Sequence, residues 1–314
     1  MRYIFLIFIS YLYLQADVHI FVYHRFGDYK HNATNTSVKE LTKEFEYFKT
    51  HNYQVVPIEQ ILKRIEQKQS IPDNWIALTI DDSYKSFYHN GLPLFKKYGY
   101  PFNLNIYVEA TQRHYGDFMS WDQIKEASKY GTIGLHSYSH PHLTKISLEE
   151  VKQDTQKAYD IFVKNMGYKP EIYVYPYGEY NQKIKNIIKK FGFKTILNQN
   201  IGTVTKQSDI FDINRIALVG KVNIKTKLRY KTFDALWIKP KSFPENGVLK
   251  EIKVKVDPKY KKLKLYITKE GWRDIQVKNG MVDIKLNLYL KNSRTRLMLG
   301  PDVYTISNKL ITKQ

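Results

Sequence analysis

Short β-rich segments alternate with amphipathic helical segments from Val18 to about Gly220. Strands are predicted at residues 18–23, 54–56, 75–80, 102–108, 132–135, 172–175, 194–197 and 215–219. Such alternation is typical of parallel βαβ units, and so many in series predict an α/β fold, a distorted (β/α) barrel of about seven parallel strands. An open doubly wound sheet is the alternative, but no glycine-rich nucleotide-binding loop follows any of these strands.

The pattern changes after about Gly220, where amphipathic helical segments give way to short alternating runs. Turn-forming pairs such as Asp257-Pro258 and Asn279-Gly280 separate the runs. This spacing is typical of a small antiparallel β-sandwich. We therefore predict a barrel domain at residues 17–220 and a β-sandwich-like domain at residues 221–314.

The first 16 residues, MRYIFLIFISYLYLQA, have the pattern of a secretory signal peptide. Arg2 gives a positive start, Ile4–Leu14 is an apolar core of 11 residues, and cleavage is expected after Ala16. The apolar core is too short to span a bilayer, which needs about 20 residues. We expect export to the periplasm or the extracellular space, with no transmembrane segment in the mature chain.

The formal net charge is +20, and lysines are spread along the whole chain. A solvated surface explains this distribution, and attraction to an anionic envelope surface is the functional alternative. No nucleic-acid-binding motif is present, so nucleic acid is not an expected partner. The absence of cysteine excludes disulfides.

Polar residues end four of the predicted strands. His24 follows the first strand, Asp81 and Asp82 follow the third, His136 follows the fifth, and Tyr177 lies just beyond the sixth. The carboxyl ends of parallel strands meet at one rim of a barrel, where catalytic residues lie. We therefore expect these side chains to form one site.

His136 and His140 are four residues apart, and Pro141 disfavours a helix at His140, which predicts a loop. Two neutral imidazoles and one carboxylate form a typical catalytic metal site with an open position. If either Asp81 or Asp82 binds the metal, its neighbour is free to act as a general base. Ordinary loop histidines, and a turn aspartate followed by a helix N-cap, are the alternatives.

Four motifs together resemble those of the polysaccharide deacetylases, the NodB-homology group or carbohydrate esterase family four. TIDD at 79–82 and HSYSH at 136–140 resemble the first two family motifs, and YVYPYGEYN at 173–181 resembles the third. VYHRFGD at 22–28 is similar to an N-terminal stretch common in the branch that acts on poly-N-acetylglucosamine. The resemblance covers the barrel and not the C-terminal region.

The resemblance implies a metal-dependent hydrolase that removes N-acetyl groups from N-acetylglucosamine-containing polysaccharide. By position, Asp81 would be the general base, and Asp82, His136 and His140 would bind a divalent metal. Zinc suits this set best, while cobalt, nickel or iron would fit similar ligands. Tyr177 would support the oxyanion through its backbone N–H. The aromatic segment Tyr175, Pro176 and Tyr177 would line the sugar groove.

Two positions depart from the family pattern. Val174 occupies the place where many members have an arginine that orients the base, and we expect Arg215 to supply a guanidinium instead. The family's general acid is a late histidine, but this chain has no histidine after His142. His24 is the expected substitute, with a purely structural role in the first loop as the alternative.

Three function classes follow from these residues. An exported deacetylase acting on an exopolysaccharide, on peptidoglycan or on chitin fragments is the first, and the third motif favours the exopolysaccharide. A catalytically retired carbohydrate-binding protein is the second. A metal-dependent amidase acting on another acetamide is the third.

Overall fold

The computed structural model describes residues 17–313. The predicted signal peptide, residues 1–16, and its cleavage position after Ala16 lie outside the described residues. Within residues 17–313, no helix combines the length and apolarity that crossing a membrane requires.

A curled sheet of seven parallel strands, in the order β10-β1-β5-β6-β7-β8-β9, forms the larger part of the molecule, and β4 pairs with β5 beside this path. The prediction of a distorted barrel with about seven parallel strands is confirmed. The strands are β1 (His19–Tyr23), β4 (Gln54–Val55), β5 (Trp75–Ile80), β6 (Asn103–Ile106), β7 (Thr132–Leu135), β8 (Ile172–Val174), β9 (Thr195–Leu197) and β10 (Ile216–Ala217). A small parallel pair, β2 (Arg25–Phe26) and β3 (Asn35–Thr36), follows β1 in the chain.

The two edge strands β9 and β10 do not pair directly along this sheet. The chain before β10 returns beside β9 instead, where Asn198 N donates to Ile213 O at 2.9 Å and Ile213 N donates to Ile196 O at 3.0 Å. The barrel is therefore nearly closed, and the residues just before β10 face its interior.

Helices cover the outer face of the sheet and bury an aromatic and aliphatic core against it. The longest helix, α6, begins with the capping box predicted from Ser147 and Glu150, and Gly167 ends it in the left-handed conformation. The helices are α1 (Val38–Thr50), α2 (Ile58–Glu66), α3 (Leu92–Tyr98), α4 (Val108–Gln112), α5 (Trp121–Ala127), α6 (Leu148–Met166), α7 (Gln182–Lys189) and α8 (Ile224–Lys227).

Two further sheets form the C-terminal part, as the alternating pattern predicts. One has the order β11-β18-β17-β14-β15 and the other β12-β13-β16, and they bury a separate apolar cluster. The strands are β11 (Lys231–Thr232), β12 (Leu236–Lys239), β13 (Val248–Lys255), β14 (Lys262–Ile267), β15 (Gly271–Gln276), β16 (Met281–Tyr289), β17 (Arg294–Gly300) and β18 (Thr305–Thr312). The domain boundary at residues 220 and 221 stays a prediction.

The chain departs from the predicted elements in two places. The strand expected at residues 102–108 ends at Ile106, and Val108 begins α4, because the N–H groups of Val108 and Glu109 donate to the carbonyls of Ser137 and Tyr138. The region after Gly220 also contains the short helix α8, which Asn223 caps through its side chain.

Candidate active site

Asp82, His136 and His140 bring three ligand atoms together at the rim. The two Nε2 atoms are 3.2 Å apart, and Asp82 Oδ1 lies 3.4 Å from His136 Nε2 and 3.3 Å from His140 Nε2. A tetrahedral ion held at about 2.0–2.1 Å from each ligand has ligand-to-ligand edges of roughly 3.3 Å. The three observed edges fit such an ion.

The protonation of these side chains also suits a metal. His136 Nδ1 contacts Val174 O at 2.9 Å, so Nδ1 carries the hydrogen and Nε2 presents its lone pair. Burial and the neighbouring His136 lower the pKa of His140 to about 4, which favours its neutral form. Asp82 Oδ1 is buried and accepts no hydrogen bond from residues 17–313. A buried carboxylate oxygen without a donor is what a metal ligand leaves when the ion is removed.

Helix α6 fixes the loop that carries the two histidines. Asp154 accepts hydrogen bonds from the N–H groups of Tyr138 and Ser139 and from the Ser139 hydroxyl, at 2.7–2.9 Å. These hydrogen bonds hold the centre of the predicted loop, Tyr138 and Ser139, which lies between His136 and His140 in the sequence. Asp154 of α6 thus contributes to the position of His136 and His140.

Left-handed backbone is concentrated at this rim. The positive φ angles of non-glycine residues include those of Asp82 (72°), Ser83 (58°), Ser137 (66°), His140 (51°) and Tyr177 (57°). Such angles are uncommon for residues with a Cβ and cluster at functional sites. The left-handed turn at Asp82 accounts for the different positions of the two adjacent carboxylates, with Asp81 beside Arg215 and Asp82 beside the two imidazoles.

Asp81 is completely buried and forms a two-pronged ion pair with Arg215. Arg215 Nη1 donates to Oδ1 and Nη2 donates to Oδ2, both at 2.8 Å. Burial alone would raise the pKa of Asp81, but the Arg215 charge holds that pKa well below its usual range. Arg215 precedes β10, and its side chain extends through the barrel interior, where Thr79 Oγ1 and Asn198 O also accept from it.

Asn105 is a further site residue that the motif analysis missed. Its Nδ2 donates to Asp81 Oδ1 at 2.9 Å, and both side chains are fully buried. A Cβ on Gly134 would lie 2.3 Å from Asn105 Oδ1, so only glycine leaves room for this amide. The asparagines within the apolar β6 and a glycine within β7 are the sequence signals that point to this contact.

His24 follows β1 and faces the same site. The imidazole lies close enough to Asp81 and to His140 to influence the pKa of each group. Its Nδ1 is buried without a hydrogen-bond partner in the described part of the chain. A purely structural role for His24 in the first loop stays the alternative.

The third motif forms a turn whose only exposed aromatic ring is that of Tyr177, with 37% of its surface exposed. This ring stacks on His142 with centroids 4.1 Å apart and contacts His140 edge-on at 4.5 Å. His142, which has no motif spacing, is therefore part of the site wall. Tyr175 and Pro176 are buried, and the Tyr175 ring packs against that of Tyr180. Neither side chain therefore presents a surface to a ligand, which differs from the prediction that both line the sugar groove.

Comparisons with known proteins agree with this geometry. Residues 68–196 match the polysaccharide deacetylase family model. A poly-beta-1,6-N-acetyl-D-glucosamine N-deacetylase of Staphylococcus aureus (strain MSSA476) is 26% identical over 197 residues, covering 59% of this chain and 68% of that protein.

Two solved structures share the fold. The Streptococcus pyogenes deacetylase PplD in complex with acetate aligns with a TM-score of 0.62 at 19% identity, covering 67% of this chain and 96% of that one. IcaB from Ammonifex degensii aligns with a TM-score of 0.58 at 22% identity, covering 65% and 93%. At these identities the likeness concerns the fold.

A nearly closed (β/α) barrel with a possible metal site at Asp82, His136 and His140 and a buried aspartate beside it agrees with the class of carbohydrate deacetylases. More specifically, residues 68–196 of the barrel are similar to the polysaccharide deacetylase family. The family resemblance and the enzyme class predicted from the motifs are thereby confirmed.

Proposed function

We propose that the protein removes N-acetyl groups from an N-acetylglucosamine-containing polysaccharide, with Asp82, His136 and His140 as ligands of a divalent cation. The observation that carries this proposal is the triangle of ligand atoms beside the buried Asp81–Arg215 pair. Zinc is the proposed ion because its ligand distances and its preference for imidazole and carboxylate fit the set. Such an ion supplies Lewis acidity, which lowers the pKa of a water and polarises a carbonyl oxygen.

The residues of the chain carry the proton transfers. Asp81, ionised and held by Arg215 and Asn105, accepts the proton of the water that attacks the acetamide carbon. The backbone N–H of Tyr177 donates to the oxygen that gains negative charge. His24 donates a proton to the sugar nitrogen as the C–N bond breaks, which gives acetate and a free amine. The Tyr177 ring holds the sugar, and Arg215 replaces the guanidinium that Val174 cannot provide.

The substrate class and the location belong to the same proposal. The Staphylococcus aureus relative is named for poly-beta-1,6-N-acetyl-D-glucosamine, and we infer an exopolysaccharide of this kind as the substrate. The signal pattern of residues 1–16 supports export to the cell envelope. Residues 221–314 contain 23 Lys and Arg against eight Asp and Glu, which supports attraction to an anionic envelope surface.

Acetate release distinguishes this function from its two alternatives. The full chain, loaded with zinc, is incubated with N-acetylglucosamine oligomers and, separately, with an N-acetylated peptide, and free acetate is quantified. We expect acetate from the oligomers and little from the peptide. Release from the peptide alone would indicate an amidase of another class. Binding of the oligomers without release from either compound would indicate a retired carbohydrate-binding protein.

A further inference from the structure

A cavity of about 400 Å³ lies between the barrel and the C-terminal sheet. Strands β1 and β10 form one side, with Val22 and Ala217, and β17 of the C-terminal sheet forms the other. Its polar lining consists of Gln199, Arg215, Lys227, Thr268, Arg294 and Arg296. Among residues 17–313, four basic side chains and no acidic one line this space.

In the described part of the chain, three of the four positive side chains lack a carboxylate that neutralises their charge at close range. The charge of Arg215 is paired with Asp81. Arg294 has its nearest carboxylate, Glu179, at 4.0 Å, and Glu179 is already paired with His142 at 2.9 Å. Arg296 donates one hydrogen bond from Nη2 to Gln199 O, while its Nε is buried with no partner in the described range.

Burial makes these positive charges costly. It lowers the pKa of Arg294, and burial together with the charge of Arg294 lowers the pKa of Arg296. Burial also lowers the pKa of Lys227, and the carboxyl of Glu44 is the neighbouring group that opposes this shift. Arg294 and Arg296 are two residues apart on β17 and therefore point to the same side of the sheet. Cations gathered in this way gain most from an anion that enters the cavity.

The cavity adjoins the candidate active site at two points. Arg215 lines the cavity and holds Asp81. Gln199 packs against Gly178, the residue after Tyr177, so closely that a Cβ on Gly178 would lie 2.7 Å from Gln199 Cβ. A ligand in the cavity is therefore next to the turn that presents the Tyr177 ring.

We propose that this cavity is a subsite for an anionic substituent, a carboxylate or a phosphate, on the glycan that the enzyme deacetylates. The inference rests on the proposed function, since it names the substrate class of the same site. The volume lies in the range of ligand pockets, about 300–1,000 Å³, and is large for a free anion alone. The preferred substrate is thus an N-acetylated glycan with acidic groups.

A paired-substrate assay tests the subsite. Acetate release by the zinc-loaded full chain is measured on a neutral N-acetylglucosamine oligomer and on an oligomer of equal length that alternates N-acetylglucosamine with a uronic acid. We expect the acidic oligomer to have a KM lower by about tenfold, the size of one charge-assisted hydrogen bond. Equal KM values for the two oligomers in the wild-type protein would overturn the subsite and leave the deacetylase proposal intact.

Substitutions of the cavity arginines test whether the lower KM for the acidic oligomer arises from the cavity. In the double variant Arg294→Gln/Arg296→Gln we expect the KM ratio of the two oligomers to fall towards one, and Arg294→Lys/Arg296→Lys to keep part of it. The control Arg273→Gln removes an exposed arginine of β15 and should keep the wild-type ratio. A double variant that keeps the full ratio, or a control that loses it, would overturn the assignment.

Calorimetric titration separates the subsite from the catalytic proposal and from simple anion binding. A uronic-acid oligomer without acetamide groups and inorganic phosphate are the two probes. Binding of the oligomer that depends on Arg294 and Arg296 supports the subsite even if no glycan is hydrolysed. Phosphate binding as tight as that of the oligomer would mean a site for a free anion and would contradict a glycan subsite.

Discussion

At the scale of single residues, Asp81 and Asp82 are adjacent in sequence and opposite in environment. Asp81 receives hydrogen bonds from Arg215 and Asn105, whereas Oδ1 of Asp82 receives none within residues 17–313 and faces two imidazoles. The pairing with Arg215 keeps the buried Asp81 carboxylate ionised, whereas a buried carboxylate oxygen without a donor is stabilised by a cation. This difference supports the proposed roles of Asp81 as the base and Asp82 as the metal ligand.

Replacing Arg215 tests how the base is kept ionised. In Arg215→Lys, a point charge replaces the two-pronged contact, so the pKa of Asp81 should rise. Because the base acts when ionised, the acidic limb of the pH profile of kcat/KM should move to higher pH, and kcat/KM should fall about tenfold or more. The exposed Arg273→Lys is the matched control. If the acidic limb of the variant stays at the wild-type pH, Arg215 does not keep the base ionised.

The proposed role of His24 as the general acid is tested by measuring metal content and turnover separately. In His24→Gln, we expect the metal content to stay at the wild-type level while kcat falls by about a hundredfold or more, the usual contribution of a general acid. Metal content is measured by elemental analysis and kcat by acetate release. Wild-type turnover in this variant would exclude His24 as the acid.

At the scale of elements, helix α1 packs on β1 through a buried polar contact. The Tyr23 hydroxyl donates to Glu44 Oε2 at 2.7 Å, and Glu44 is 2% exposed. Burial raises the pKa of Glu44 to about 7. The folded state therefore favours the protonated carboxyl, while in the unfolded chain Glu44 ionises near 4.5.

The pH dependence of stability follows from this contact. Between about pH 4.5 and pH 7 the folded state binds the proton and the unfolded state does not, so the free energy of unfolding falls as pH rises. In Glu44→Gln the side chain does not ionise, so this fall in the free energy of unfolding with pH is removed. By chemical denaturation, the variant should match the wild type near pH 5 and exceed it by up to about 3 kcal/mol near pH 8. The exposed Glu66→Gln is the control, and a constant difference across pH would contradict the assignment.

The elements differ in how well the sequence predicts them. The capping box at Ser147 and Glu150 predicts the start of α6 because both partners are local. The end of β6 at Ile106 is not predictable from its apolar run, since carbonyls of the distant residues 137 and 138 end it. The three proposed metal ligands are recognisable from their motifs, whereas Asn105 and His142 belong to no motif and reach the site through tertiary contacts.

At the scale of the whole molecule, charge is unevenly distributed. Residues 221–314 have a formal net charge of +15 out of +20 for the chain. Part of this charge, on Arg294 and Arg296, turns inward towards the barrel. The C-terminal sheets thus add cations beside a site whose own carboxylates are committed to Arg215 and to the proposed metal.

The central claim is that a cation held by Asp82, His136 and His140 is required for deacetylation. The most direct measurement is acetate release from N-acetylglucosamine oligomers after chelation and after return of one equivalent of zinc, in the wild type, in Asp82→Asn and in the exposed control Asp160→Asn. We expect chelation to abolish release and zinc to restore it in the wild type and the control, but not in Asp82→Asn. Undiminished release from chelated wild-type protein, or full recovery of Asp82→Asn, would contradict the claim.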